Sequence, residues 1–196
     1  MQPNDHSVCN FMSKKNTILG TTLSLIKDHG FHGTSMSMIA CKAGAATGTI
    51  YHHYPSKDDL IKALFKEVNE QLSAAIIVSN DPSVPFKERF SNFWKSQFKF
   101  YVSHPESLMF LEQYMSSPYF LEEEECYIKA LYQDVRFFFN DAMDRGYIKK
   151  MDKEILTPVI RGSITATARL HLTGKPSFSE TDLDKVVDIV WSGIKI

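Results

Sequence analysis

The run Thr47-Gly48-Thr49-Ile50-Tyr51-His52-His53 carries a hydroxyl or an imidazole at five of its seven positions. Threonine and tyrosine hydroxyls and histidine ring N–H groups reach phosphate oxygens and base edges in a nucleic-acid groove. Gly48, with no side chain, lets a backbone come close to such a surface. Short helices of this composition also serve as plain connectors, so spacing alone leaves both readings open. No other constellation suggests catalysis. There is no nucleophile–base pair, no Gly-rich phosphate loop and no HExxH run, so no catalytic residue, cofactor or enzymatic activity is expected. The acids Glu122 to Glu125 read as helix-start charges and His104 and His171 as ordinary histidines, so no metal site is expected either.

The elements that would position these groups are helical. Ile18, Thr22, Leu25, Ile26 and His29 recur at helical steps, with Gly30 as a stop. Thr34 and Ser35 offer N-caps for a short helix, Met36–Lys42, that ends at Ala43-Gly44. A second short helix, Thr47–His53, is halted by Pro55. Ser56-Lys57-Asp58-Asp59 is a capping box with Asp in place of Glu, and it opens a helix running to about Ser79. Beyond a loop at Asn80–Pro85, helices are predicted over Phe86–Ser103, from Pro105 to about Ser116, from Glu122 to near Arg145, over Lys153–Leu172 and over Thr181–Ile194. The last follows a second box, Ser179-Glu180-Thr181-Asp182. With about nine helices and no sustained alternation, the fold class is all-α.

Composition agrees with a packed, water-exposed chain. Of 196 residues, 43% are apolar, enough for a sizeable core. Apolar runs reach only about five residues, against roughly eighteen for a membrane span, and the first residues lack a secretory pattern. A cytoplasmic protein without membrane association is expected. Cys9, Cys41 and Cys126 have no CxxC spacing and suit reduced thiols. The net charge of −1 is unevenly spread, with +3 over residues 1–66 and −4 over the rest, so an anionic partner would meet one end. The expected organisation is a disordered extension over 1–12, with Met1 or Met12 as the start, a small domain over 13–58 and a larger one over 59–196.

Two short helices joined by a Gly-containing turn and framed by longer ones are the layout of a helix-turn-helix, whose second helix enters the major groove. The stretches Ile18-Leu19 to Gly30-Phe31, Thr34 to Ala40, Ala43-Gly44 and Gly48-Thr49-Ile50-Tyr51-His52-His53-Tyr54-Pro55-Ser56-Lys57-Asp58-Asp59-Leu60 resemble the DNA-binding domain of TetR-type transcriptional regulators. The resemblance implies that 13–58 is the DNA-binding domain and 59–196 a ligand-binding and dimerisation domain, in a homodimer on a roughly palindromic operator, released when a small molecule enters the C-terminal part. Carried over by position, Thr34 with Ser35, Met36 and Ser37 would hold a phosphate. Thr47, Gly48 and Thr49 would face bases and backbone, Tyr51, His52 and His53 phosphate or sugar edges, and Lys57 another phosphate. Lys14 joins these candidates. Ile39, Ala40, Ile50 and Tyr54 would form the small domain's core.

Two positions depart from the family pattern. Ala46 stands where a capping Ser is frequent, which costs that helix about 1 kcal/mol. Met36 and Ser37 stand where charged residues are frequent, and no Arg precedes residue 89, so DNA affinity should be modest, with a shallow salt dependence.

The remainder is rich in rings: 16 of 24 aromatic residues lie between Phe86 and Phe139. They can form a core, or the wall of an apolar or aromatic ligand's pocket. The candidate ligand contacts are Phe93, Trp94, Phe98, Tyr101, Phe110, Tyr127 and Phe138, with Gln113, Tyr114 and Arg169 as polar anchors. Leu183, Val186, Val187, Val190 and Ile194 form a helical stripe, and Gly162, Ser163 and Ala166 are small enough for close helix approach. Both features suit a dimer face across a two-fold axis, or packing within one subunit. Alternatives to a ligand-released repressor are an activator, a regulator without effector and, more remotely, a helical enzyme or carrier.

Overall fold

The computed structural model describes residues 5–79, 81–120 and 122–196. Ten helices and no strand occur among the described residues. The first, α1 (Asp5–Gly33), kinks at Gly30, where φ of +69° and ψ of 178° leave the helical region that a side chain would favour. The expected extension over 1–12 is therefore helical from Asp5 onward, while residues 1–4 lie outside the described residues. The next two are α2 (Met36–Ala43) and α3 (Thr47–His53). Gly44 closes α2 in the left-handed region, its N–H directed at the carbonyls of Ala40 and Cys41. The long α4 (Lys57–Ala75) starts on the predicted box, with the Asp59 amide donating to Ser56 Oγ and the Ser56 hydroxyl donating to the Asp59 carboxylate at 2.6 Å.

Then come α5 (Phe86–Ser103), α6 (Pro105–Met115), α7 (Glu122–Leu131), α8 (Gln133–Asp144), α9 (Lys153–Leu172) and α10 (Glu180–Ile194). The tenth helix arises because the stretch expected as one helix from Glu122 to Arg145 is interrupted at Tyr132 (φ −98°, ψ 29°). Backbone pairing continues across the interruption, from the Tyr132 amide to Ile128 and from the Arg136 amide to Tyr132, so it is a kink and not a loop. The capping box at Ser179 and Asp182 forms as predicted, and its hydrogen bonds hold the exposed Asp182 carboxyl down at about 2. No helix among the described residues is long and apolar enough to cross a membrane.

The chain divides into two compact units, residues 1–69 with 106–121, and residues 70–105 with 122–196. This departs from the expected boundary at 58/59 in one respect that matters: α6 belongs with the helix-turn-helix. The reason is aromatic packing. Phe110 meets Phe31 edge-on at 5.8 Å, and Tyr114 stacks on Phe65 at 4.1 Å with 12° between the rings. The Tyr114 hydroxyl donates to the Tyr119 carbonyl, closing the cluster. In the second unit α5 packs on α9 and α10. Phe90 and Trp94 are wholly buried there, and the Trp94 indole donates to Ser163 Oγ at 2.9 Å. Surface ion pairs from Lys95 to Asp184 and Lys87 to Asp188 run alongside the α5–α10 contact.

Candidate nucleic-acid interface

The first unit is built so that α3 sits on a closed apolar base with its polar groups outward. Ile39 and Ile50 are inaccessible, Ala40 and Tyr54 nearly so, as expected for the small domain's core. Ile50 is the single buried residue of α3. Burial pushes the Tyr54 phenol up to about 12, with the nearby Glu67 charge adding to the effect, so this ring is a neutral core element. Lys42 Nζ donates to Ser24 Oγ at 3.0 Å and ties α2 to α1.

On that base Thr47, Gly48, Tyr51 and His52 are exposed, and Thr49, His53 and Lys57 are half-buried. A Cβ added at Gly48 would meet nothing within 4 Å, so no packing inside the chain demands glycine there. Ala46 caps α3 without a side-chain hydrogen bond, as its methyl dictates. At the start of α2, Ser35 Oγ accepts the Met38 amide and lies 2.9 Å from Ser37 Oγ, which leaves two exposed hydroxyls beside a helix N-terminus. The His52 and His53 rings stand 5.8 Å apart. Partial burial, then the charges of His52, Lys15 and Lys14, lower the proton affinity of His53. Lys14, itself exposed, and Lys15 therefore belong to the same electrostatic neighbourhood as α3. Lys15 joins the candidates on this ground, its signal in the sequence being that it adjoins Lys14 and carries the same charge.

Two candidate phosphate contacts need correction. Thr34 is buried and its hydroxyl donates to the Gly30 carbonyl at 2.9 Å, so it locks the α1–α2 turn. Met36 is buried as well, because its position on α2 faces the core. Ser35 and Ser37 keep the outward positions.

The ten ligand candidates do not form one group. Phe110, Gln113 and Tyr114 lie in the first unit, two of them consumed by the cluster around Phe31 and Phe65, with Gln113 exposed. Phe93, Trp94, Phe98, Tyr101 and Phe138 are buried in the second unit. Their rings fill one another's space: Phe93 lies 5.9 Å from Phe138, and Trp94 stacks on Phe98 at 5.8 Å. Tyr127 is half-buried, its hydroxyl donating to the Glu70 carboxylate at 3.1 Å. Arg169 is exposed, so it is not the interior anchor expected of it. Two clefts stand out among the described residues, one of about 380 Å³ beside Lys87, Glu88 and Asp188, the other of about 190 Å³ beside Ile76, Tyr132 and Val135. None of the ten candidates lines either.

The expected association stripe also splits. Leu183, Val187 and Ile194 are core residues of their own subunit, and Val186 and Val190 are half-buried. Ser163 is half-buried under the Trp94 indole, while Gly162 and Ala166 are exposed. A different apolar row faces outward on α9: Ile155, Val159 and Leu170, in register with Gly162 and Ala166, all at steps of three or four. Ile189 on α10 is 74% exposed. On α10 the expected stripe turns mainly inward, whereas on α9 the expected Gly162 and Ala166 lie in the outward row.

Fold and site together define a helical DNA-binding regulator: a helix-turn-helix with an outward polar recognition helix, followed by a second helical unit. Comparison with known proteins makes this specific. Residues 18–64 match the family model described as bacterial regulatory proteins, tetR family, and residues 85–195 match the model of a tetracyclin repressor-like C-terminal domain. The chain belongs to the TetR family of transcriptional regulators. An uncharacterized HTH-type transcriptional regulator of Haemophilus influenzae is 27% identical over 184 residues, which covers 91% of this chain and 94% of that one. Among solved structures, a TetR family regulator from Marinobacter aquaeolei shares the fold with a TM-score of 0.87, at 22% identity, over 93% of this chain and 96% of that one. The regulator FadR of Bacillus subtilis, solved in complex with stearoyl-CoA, shares it with a TM-score of 0.69 at 23% identity, over 91% and 98% of the two chains.

Proposed function

We propose that this regulator is a cytoplasmic repressor that binds a two-fold symmetric operator as a homodimer and leaves it when an apolar small molecule enters the second unit. The observation that carries the DNA-facing half is α3 itself. Seven residues bury one side chain and turn Thr47, Tyr51 and His52 outward, an arrangement that internal packing does not explain. Duplex DNA is the partner that such hydroxyls and ring nitrogens fit.

The outward apolar row Ile155, Val159 and Leu170, with Gly162 and Ala166 between, supports the homodimer, because an aliphatic helix face of this length is stabilised by a second copy. Such a dimer would hold two recognition helices roughly 34–36 Å apart, one duplex turn. The FadR complex supports an apolar effector, and α4 offers a route for its signal, since residues to Asn69 belong to the first unit and residues from Glu70 to the second. Linkage then requires operator DNA to weaken effector binding by the same factor that the effector weakens operator binding. The close ring packing of Phe93, Trp94 and Phe138 favours a second reading, a regulator that acts without effector. Nothing in the residues around α3 supports an enzymatic role, and the chain is read as non-catalytic.

The test is a footprint on DNA flanking the coding sequence, backed by selection from random duplexes, with wild type and Tyr51→Ala compared at two salt concentrations. A symmetric protected site that weakens with salt and needs at least about ten times more Tyr51→Ala protein is the expected result. Equal protection by the variant would remove α3 from the interface.

A further inference from the structure

Among the described residues, three buried side-chain atoms lack a hydrogen-bond partner: the Tyr54 hydroxyl, Arg89 Nε and Gln97 Nε2. The first lies in the helix-turn-helix unit. Arg89 is otherwise engaged, with an N–H on the Ser79 carbonyl and its guanidinium over the Phe86 ring at 5.1 Å. Gln97 differs from both. Its side chain is 93% buried midway along α5, and its amide nitrogen meets no acceptor. Buried polar groups in folded proteins are rarely left unpaired, and an orphaned donor calls for an explanation beyond packing.

The surroundings supply one. Phe93 and Tyr101 flank Gln97 at one helical turn on either side and are themselves buried. Tyr101 in turn lies close enough to Tyr132 to influence it electrostatically, and burial drives the Tyr132 hydroxyl far above the usual phenol range. Tyr132 is the residue at which α7 and α8 kink apart, and it lines the cleft of about 190 Å³ with Ser73, Ile76, Leu131 and Val135. The cleft, both phenols and the unpaired amide thus belong to the same unit, with Tyr101 one helical turn from Gln97.

We propose that Gln97 is the polar anchor of a ligand site for a neutral, largely apolar carbonyl compound, such as an ester or ketone, entered beside Tyr132. The proposal rests on the effector-binding reading above and gives that effector a chemical class. An amide N–H requires an acceptor, and a carbonyl oxygen provides one. Phe93 and Tyr101 suit an alkyl or aryl body. A carboxylate would be disfavoured at Gln97, because burying a charge against a neutral amide and rings is costly. A cleft of this size lies below the range of most ligand pockets, so the occupant must displace ring surface around Tyr132 as it enters.

The experiment titrates methyl decanoate and its carbonyl-free analogue, decyl methyl ether, into the full-length protein, following tryptophan fluorescence, with wild type and Gln97→Met compared. Melting temperature without probe and the operator footprint are recorded for both proteins. The expected result is at least a tenfold preference of wild type for the ester and loss of that preference in Gln97→Met. The variant should also melt higher than wild type, since the unpaired amide is gone, and should keep the wild-type footprint. A wild type that does not prefer the ester, including one that binds neither probe, overturns the proposal, as does a Gln97→Met protein that keeps the preference. If the wild type gives no footprint on any duplex, the regulator reading fails. If the footprint is present and the ester preference is absent or independent of Gln97, only the present inference fails.

Discussion

The helices α3 and α5 draw on the same chemistry, rings and hydroxyls at helical spacing, and use it in opposite directions. In α3 one residue of seven is buried, and its Tyr and His rings face outward. In α5 ten of eighteen residues are buried, and the rings of Phe90, Phe93 and Trp94 meet other rings. Residue type therefore does not separate a contact surface from a core. What separates them is whether the neighbouring helices supply partners. α2 supplies partners to one face of α3, whereas α9 and α10 both pack on α5. A short helix with one buried anchor remains available to an external partner. A long helix whose ring face is covered has become scaffold.

The comparison breaks most visibly at Phe90, which is fully buried, with Trp191 at 5.8 Å and both Phe93 and Phe139 at 6.4 Å. Phe90→Ala should destabilise the protein by about 3–5 kcal/mol, measured by urea denaturation. Tyr51→Ala, on a ring that is 49% exposed, should change stability by no more than about 0.5 kcal/mol in the same experiment. A loss below about 1 kcal/mol at Phe90 would mean that the ring packing is loose there. The aromatic core would then hold room for a ligand, and the contrast with α3 would fail.

A smaller effect sharpens the other side. α3 starts on Ala46, which offers no acceptor to the first-turn amides, whereas α2 and α10 start on Ser35 and Ser179, which do. Ala46→Ser should stabilise α3 by about 1 kcal/mol. Hydrogen exchange at its amides should slow accordingly, without change in α5. If exchange in α3 is unaltered, the helix is already held by Ile50 and the Gly44 turn, and its short length is not a weakness.

Much of this arrangement was legible in the sequence because it depends on local rules. The Ser56 cap, the capping box at Ser179, the stop at Gly44, the missing cap at Ala46 and the core role of Ile39, Ile50 and Tyr54 follow from residue types within one or two turns. The outward side chains of α3 followed from the same motif. What could not be read was long-range. Phe110 and Tyr114 sit in a ring-rich stretch that looks continuous, yet they pack with Phe31 and Phe65 far earlier in the chain. Thr34 reads as a surface hydroxyl in the sequence because its burial depends on packing, not on its type; in the fold its hydroxyl is taken up by the Gly30 carbonyl. The inward turn of the α10 stripe was not legible because its aliphatic residues suit a core or a dimer face equally, and burial by α5 decides. Gln97 carries no signal in the sequence. Its interest arises from the partner that it lacks.

The mildest perturbation tests the outward face of α3 without mutation. His53 has its proton affinity lowered by partial burial first, and then by the charges of His52, Lys15 and Lys14. A histidine whose folded value is depressed binds its proton less readily than in the unfolded chain. The free protein should therefore lose stability as pH falls through and below about 6.5, the ordinary histidine value. DNA phosphates would oppose that effect by favouring the imidazolium, so operator binding would take up protons. Affinity for the operator should accordingly rise as pH is lowered from 8 towards 6 at constant low salt. Filter binding or fluorescence anisotropy at the two ends of that range measures it, with His53→Gln as the control that should flatten the profile. A profile already flat in wild type would mean that the His53 ring meets bases or water and not phosphates, leaving Thr47, Thr49 and Tyr51 to supply the α3 contacts.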